Sequence, residues 1–488
     1  MNGRMSHSRR MYTGAVVIAT MLMYMGMQVS AAPERSLQRL AMHPTTQNDI
    51  VLHDDAPRYT MVGSVDVRTR TLQMRQTLAW VNHTGASIRE LPFRLYANLS
   101  DFAGQTRIQR AFVDGIVTPF HYNLSHSIVT LRLPTAVRNG ATGVVTLEYQ
   151  TSIPLDVGKT KYGAFNDDGR TLSFASAYPL LTTWQGGMWD ITDPDTKGDL
   201  VNSPIALYDV TLTIPATHQL VSTGTAITQT FTGDTRTVRV VSGLQRDFTF
   251  VLTTLPVTTR MVDGTRINVY VDADEVAGSA QTMHYASRAL RLFNAQFGQY
   301  PYNELDIVAV DASSFYGVEY PGLLLMQAAT VAKPSRLERT VVHEVAHQWF
   351  YNLVGNDVQT DAWVDEAIAT YAQVIYLRAF EGEEAAQSEL ASFQQQYDNL
   401  IERELDGPVD QHMRTYTLYS FNVLAYAKGA LFYEALRMQI GAHSFGRVLQ
   451  EYVATYRYQI ADSDSLYELA TNQCTCALDT LYRTWIRP

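Results

Sequence analysis

Cysteine is nearly absent: the 488 residues contain two, Cys474 and Cys476, with a single residue between them. That spacing is too tight for an easy disulfide, and no neighbouring histidine or cysteine completes a metal site, so a structural or incidental role is expected. Positive charge is also scarce. Lys and Arg number 38 against 48 Asp and Glu, the net charge is −10, and nothing basic clusters beyond the first ten residues. No nucleic-acid partner is expected on that balance. Long helical patterns are missing from Tyr59 to about Leu255. What the chain does have is a hydrophobic fraction of 46%. That is enough to bury a sizeable core, and the length suggests roughly two to four domains.

The N-terminus reads as a targeting segment over residues 1–31. Arg4, Arg9 and Arg10 form a basic head, Met11 to Val29 is almost uncharged, and Val29-Ser30-Ala31-Ala32 offers small residues for cleavage. The apolar run is long for a signal peptide, so an uncleaved membrane anchor through residues 11–29 is the alternative. Either way the rest of the chain is expected outside the cytoplasm, secreted or held at the membrane.

Residues 32–57 lack sustained periodicity and read as a linker. Residues 58–255 read as an antiparallel β-sandwich. Thr71–Val81, Ile128–Leu133, Gly143–Tyr149 and Tyr208–Ile214 alternate or are rich in β-branched residues, and Asn139-Gly140, Asp168-Gly169 and Gly233-Asp234 punctuate them as turns. From residue 256 to 488 the pattern changes. A strand at Ile267–Val271 and a helix from Glu275 to Phe297 lead to strands at Leu305–Val310 and Leu323–Met326. From Ser335 onward the chain is largely helical, with a charged, glutamine-rich helix and loop expected over Glu381–Arg414. The fold class is therefore α+β: a β domain, then a small sheet and a helical lobe.

The chemistry sits at the start of that lobe. His343-Glu344-Val345-Ala346-His347 is H-E-x-x-H. On a helix, four residues turn the chain by about 400°, so both imidazoles share one face, where they can hold one zinc ion. Glu344, on the adjoining flank, can reach a water held there. Ser335-Arg336-Leu337-Glu338 reads as a capping box after Pro334, and Gly355-Asn356 as a stop. A hydrolytic zinc needs a third protein ligand, and eighteen residues separate His347 from Glu366, which lies at the start of a second helix that runs to Phe380. H-E-x-x-H alone also arises by accident on amphipathic helices; the glutamate at this offset makes that reading hard to sustain.

Together, H-E-x-x-H and Trp363-Val364-Asp365-Glu366 resemble the gluzincin aminopeptidases, the group that includes aminopeptidase N and leukotriene hydrolase. Gly317-Val318-Glu319-Tyr320-Pro321-Gly322 is similar to that family's G-x-M-E-N exopeptidase motif, with Val318 and Tyr320 in place of methionine and asparagine. Tyr426-Ala427-Lys428-Gly429 is similar to its Y-x-K-G segment, and Arg246-Asp247-Phe248 is a further point of likeness. Asp365 and Ala367 replace the Asn and Gly that usually flank the ligand glutamate. The resemblance spans roughly Tyr59 to the C-terminus, and implies an N-terminal saddle domain followed by a thermolysin-like catalytic domain. Larger members continue into a helical domain that roofs the site; an open cleft, or a partner or second protomer closing it, is expected here.

The resemblance implies one zinc per chain on His343, His347 and Glu366, with Glu344 as general base and Tyr426 steadying the oxyanion. Glu319, with Gly317 and Val318 beside it, would bind a peptide substrate's free α-ammonium, helped by a second acidic or glutamine contact from the N-terminal domain. Without the motif, Tyr426 would be one of 28 tyrosines and read as a core residue. An exported zinc aminopeptidase is the leading expectation. A gluzincin endopeptidase with an open cleft is the second, and a non-catalytic binding module on the same fold the third. A pure binding module has no need of a general base, which argues against the last.

Overall fold

A computed structural model describes residues 35–102, 104–153, 164–474 and 476–487. The targeting segment, with its choice between signal peptide and anchor, lies outside the described residues. Among those described, no helix is long and apolar enough to cross a membrane.

The β domain is built on an eight-stranded sheet, flanked by smaller sheets of four and three strands. Thr71–Val81 alternates buried and exposed side chains, and pairs antiparallel with Arg58–Asp66 on one side and Thr142–Ser152 on the other. Sequence alternation had implied a purely antiparallel arrangement. The sheet is mixed instead, because Arg58–Asp66 also pairs in parallel with Leu207–Pro215, Thr60 opposite Asp209. A parallel neighbour comes from far along the chain, and local periodicity carries no information about it.

The catalytic half opens with a five-stranded sheet in the order Val257–Val262, Thr265–Tyr270, Glu304–Val310, Leu323–Gln327, Gly317–Val318. Its central strands are buried on both faces, as expected of a sheet covered on each side. Successive side chains point opposite ways. Val308, Val310, Leu323 and Leu325 join the core of the β domain. Ile307, Ala309, Leu324 and Met326 join that of the helical lobe. The sheet thus locks the two halves together, and its edge strand, Gly317–Val318, is presented at their junction.

Residues 35–57 are no free linker. Met42 and Ile50 are buried in the core of the catalytic half, the His43 amide donates to the Pro301 carbonyl at 2.8 Å, and Asp49 pairs with Arg457 at 2.6 Å. Helical turns of only four residues, with widely spaced anchors, leave no helical or strand period to detect. A second bolt is Arg246, fully buried, whose guanidinium donates to the carbonyls of Tyr351, Ser203 and Gln459.

Cys474 and Cys476 are joined in a disulfide at the end of the Ser463–Cys474 helix, contrary to the expectation from spacing. The helix ends at Cys474, and the two Cα atoms stand 5.1 Å apart, within bridging range. The Glu383–Glu402 helix is only partly solvated: Ala386, Leu390, Phe393 and Leu400 are buried, and Glu389 pairs with Arg339 at 2.7 Å.

Candidate metal and amine site

The first helix runs Pro334–Ala346, two residues earlier than the capping box implied. Pro334 occupies the first turn and no side chain caps it, because Pro needs no partner for a missing N–H. The helix also ends well before Gly355, with His347 at its C-cap still in helical conformation. The amide of His347 donates to the carbonyl of His343 at 3.2 Å, so the one-turn spacing of the two imidazoles survives. The second helix, Trp363–Phe380, is buried along its first turns and packs against the first.

Between them the three candidate ligands converge. His343 Nε2 and His347 Nε2 are 3.1 Å apart, and Glu366 Oε2 lies 3.2 and 3.3 Å from them. Ligands about 2.0–2.2 Å from a tetrahedral ion stand about 3.3–3.5 Å from one another, so this triangle fits zinc with little adjustment. The tautomer of His347 fits as well. His347 Nδ1 is 2.9 Å from the Phe350 carbonyl and donates to it, which leaves Nε2 as the ligand. Glu366 and His347 are buried, and the triangle's exposed edge is His343, whose side chain is 11% accessible.

Charge argues the same way. Burial opposes charging both Glu366 and His347. Hydrogen bonds from the two histidines nevertheless hold Glu366 well below the usual carboxylate range, and Glu319 and Glu366 push His347 well above its ordinary value. Such a pocket calls for a cation. Glu344 stands beside the triangle, its carboxylate grouped with Glu319 and His347 with ligand atoms within 4.8 Å of one another. Burial, then Glu319, raises its pKa well above normal, and its Oε2 has no hydrogen-bond partner among the described residues. That is the environment of a group that holds and releases protons.

Tyr426 lies in a π-helical turn, Asn422–Lys428, a local irregularity that often marks functional sites. Its ring stacks on His343 at 5.9 Å, and its hydroxyl donates to Glu366 Oε1. The glycine of Y-x-K-G has a packing reason: a Cβ on Gly429 would fall 2.5 Å from that of Ala367, so Gly429 accommodates the alanine that replaces glycine beside Glu366.

Gly317 and Val318 form the sheet's edge beside Glu344. A Cβ on Gly317 would stand 2.4 Å from Glu344 Oε1, so only glycine lets the carboxylate approach the strand. Glu319 is buried, and Gln348 braces its loop, accepting from the Gly322 amide at 2.9 Å. Beside Glu319 lie two carboxylates that no motif marked for the substrate. Asp199, Glu319 and Asp365 place ligand atoms within 4.8 Å of one another. Asp199 comes from the N-terminal half, where an acidic contact was expected. It is one of four aspartates between residues 190 and 199, and nothing in the pattern singles it out. Burial, followed by Glu319, Glu366 and Asp365, raises its pKa. Asp365 is pushed up to about 8 by burial and Glu366; its Oδ1 accepts from Asn356 at 3.0 Å, while Oδ2 is buried without a partner among the described residues.

Residues 281–485 match the model of the peptidase family M1 domain. The chain carries a peptidase family M1 domain. With the motifs above, the catalytic half is similar to the gluzincin, aminopeptidase N-like peptidases. Aminopeptidase M1-B of Oryza sativa subsp. japonica is 28% identical over 244 residues, 46% of this chain and 27% of the relative. Human endoplasmic reticulum aminopeptidase 2 is 25% identical over 225 residues, 43% of this chain and 23% of the relative. The chain thus matches only about a quarter of the length of these relatives. An M1 zinc metallopeptidase from Deinococcus radiodurans shares the fold more fully. Its structure superposes with a TM-score of 0.70 at 22% identity, covering 89% of this chain and 93% of that one. The M1 match falls on the catalytic half, and the structural likeness extends through the β domain.

Proposed function

We propose that this chain is a zinc-dependent aminopeptidase that removes N-terminal residues from peptides. The observation that carries the reading is the placement of Asp199 and Glu319 together, with Glu319 also beside Glu344 and His347. A carboxylate pair next to a hydrolytic centre suits a substrate that brings a positive charge there, and a peptide's free α-ammonium is such a charge. An internal peptide segment brings none, which weighs against the endopeptidase alternative. A mutant of the structurally similar Deinococcus protein has been crystallised with a Tyr-Ser-Ala substrate, which supports a peptide in this cleft.

His343 Nε2, His347 Nε2 and a Glu366 oxygen would hold the zinc. When bound, zinc supplies Lewis acidity and makes water nucleophilic near neutral pH. Glu344 accepts the proton of the attacking water and returns it to the leaving amine. Tyr426, stacked on His343 with its hydroxyl at the ligand set, donates to the oxyanion as it forms. Asp199 and Glu319 orient the ammonium, which fixes the cut one residue from the terminus.

Aminoacyl anilides with free and N-acetylated amines test the reading. Acetylation removes the charge and leaves the buried Glu319 carboxylate unpaired, so the free form should be cleaved about a hundredfold faster or more. Equal rates would favour the endopeptidase. We also propose export, on the basic head and apolar run of the first 31 residues. Secreted protein beginning near Ala32 or Pro33 would support cleavage; membrane-bound protein retaining Met1 would support an anchor.

A further inference from the structure

Asp199 has an unusual burden. It sits in an irregular stretch between the Met188–Trp189 and Leu207–Pro215 strands, yet its carboxylate must stay beside those of Glu319 and Asp365. Like charges repel, and burial strengthens the repulsion, so the segment needs a hold from outside the sheet. The side-chain amide of Gln359, from the catalytic half, supplies one. Its Oε1 accepts from the Asp195 amide at 2.7 Å, and its Nε2 donates to the carbonyls of Asp195 at 3.2 Å and Asp199 at 3.1 Å.

Gln359 is itself fixed. Its own amide donates to Asp357 Oδ1 at 2.9 Å, and its carbonyl accepts from the Met413 amide at 2.8 Å. The same Met413 closes the segment from the far side. A Cβ on Gly198 would meet Met413 Cε at 2.4 Å and the Phe421 ring at 3.1 Å. Phe421 in turn packs edge-on against Tyr426, with centroids 5.6 Å apart. The segment is therefore held between an amide clamp and a packed glycine, both referenced to the catalytic half.

We infer that Gln359 is a positioning residue that sets Asp199 for recognition of the substrate's ammonium; this rests on the aminopeptidase reading above. The clamp needs both ends of an amide. A glutamate of the same shape keeps the acceptor for Asp195 but turns carboxylate oxygen toward two carbonyls, so Gln359→Glu should act as a loss and Gln359→Ala as a milder one.

The test compares wild type, Gln359→Glu and Gln359→Ala as full-length, zinc-loaded protein. Zinc content should be unchanged, and amide hydrogen exchange over residues 195–199 should quicken in both variants. KM for a free aminoacyl anilide should rise roughly tenfold with kcat within about twofold, the size of one or two lost hydrogen bonds. In an Asp199→Asn background, Gln359→Glu should add less than about twofold, because the two act through one contact. If Gln359→Glu keeps wild-type KM and exchange while wild type still discriminates free from acetylated substrate, this inference fails and the aminopeptidase reading stands. A lowered melting temperature without a change in KM marks a merely structural role and also overturns it. If wild type cleaves both substrates alike, the aminopeptidase reading falls first, and this inference with it.

Discussion

The zinc triangle and the carboxylate group beside it are neighbours made in opposite ways. The triangle is formed by two packed helices of one lobe, His343 and His347 from the first and Glu366 from the second. Its geometry is held by helical periodicity and by the buried packing of the two helices against each other. The carboxylate group draws one member from each of three places: Asp199 from an irregular segment of the N-terminal half, Glu319 from the loop after a sheet edge, and Asp365 from the start of a helix. Its members repel until a cation arrives. The metal half is therefore preorganised by secondary structure, whereas the amine half depends on tertiary contacts across the junction. Small displacements between the halves should disturb substrate alignment before they disturb metal binding.

Substitutions can break that contrast, and the largest effects belong to the metal half. His347→Ala should lose zinc and activity together, whereas Glu344→Gln should keep zinc and lose roughly 100- to 10,000-fold in kcat, since only the proton carrier has gone. Metal analysis beside kinetics checks both. In the amine half, Asp199→Asn should retain zinc, lower kcat/KM for free aminoacyl anilides by about a hundredfold, and barely alter the N-acetyl forms. Gly317→Ala touches both halves, because its Cβ would displace the Glu344 carboxylate. A loss of roughly tenfold in kcat with full zinc occupancy is expected, consistent with a misplaced general base. The smallest effect should come from Cys474→Ser with Cys476→Ser. So short a loop adds at most about 2 kcal/mol to stability, seen as a small drop in melting temperature with kcat/KM unchanged.

The same contrast explains what could be read from the sequence. His343, Glu344 and His347 are legible because helical spacing places them, Glu366 from its offset at the start of a second helix, and the structure brings the four together. Gly317, Val318, Glu319 and Tyr426 were legible only through motif resemblance, since neither a two-residue edge strand nor a π-helical turn has a period of its own. Asp199 was hidden among other aspartates in an irregular segment, and Gln359 lies in a turn with nothing to mark it. The α+β order was visible from patterning. The parallel pairing of Arg58–Asp66 with Leu207–Pro215 and the docking of residues 35–57 were not, because both are settled by contacts between distant parts of the chain. The Cys474–Cys476 bridge forms where a helix ends, at Cys474, which spacing alone misjudged.

The most direct test of the two-part site is a crystal structure of zinc-loaded Glu344→Gln with a tripeptide bearing a free N-terminus. The account predicts one zinc on His343, His347 and Glu366, and the peptide ammonium within about 2.7–3.0 Å of both Asp199 and Glu319 carboxylates. A peptide that runs through the cleft with its terminus away from Asp199 and Glu319 would contradict it.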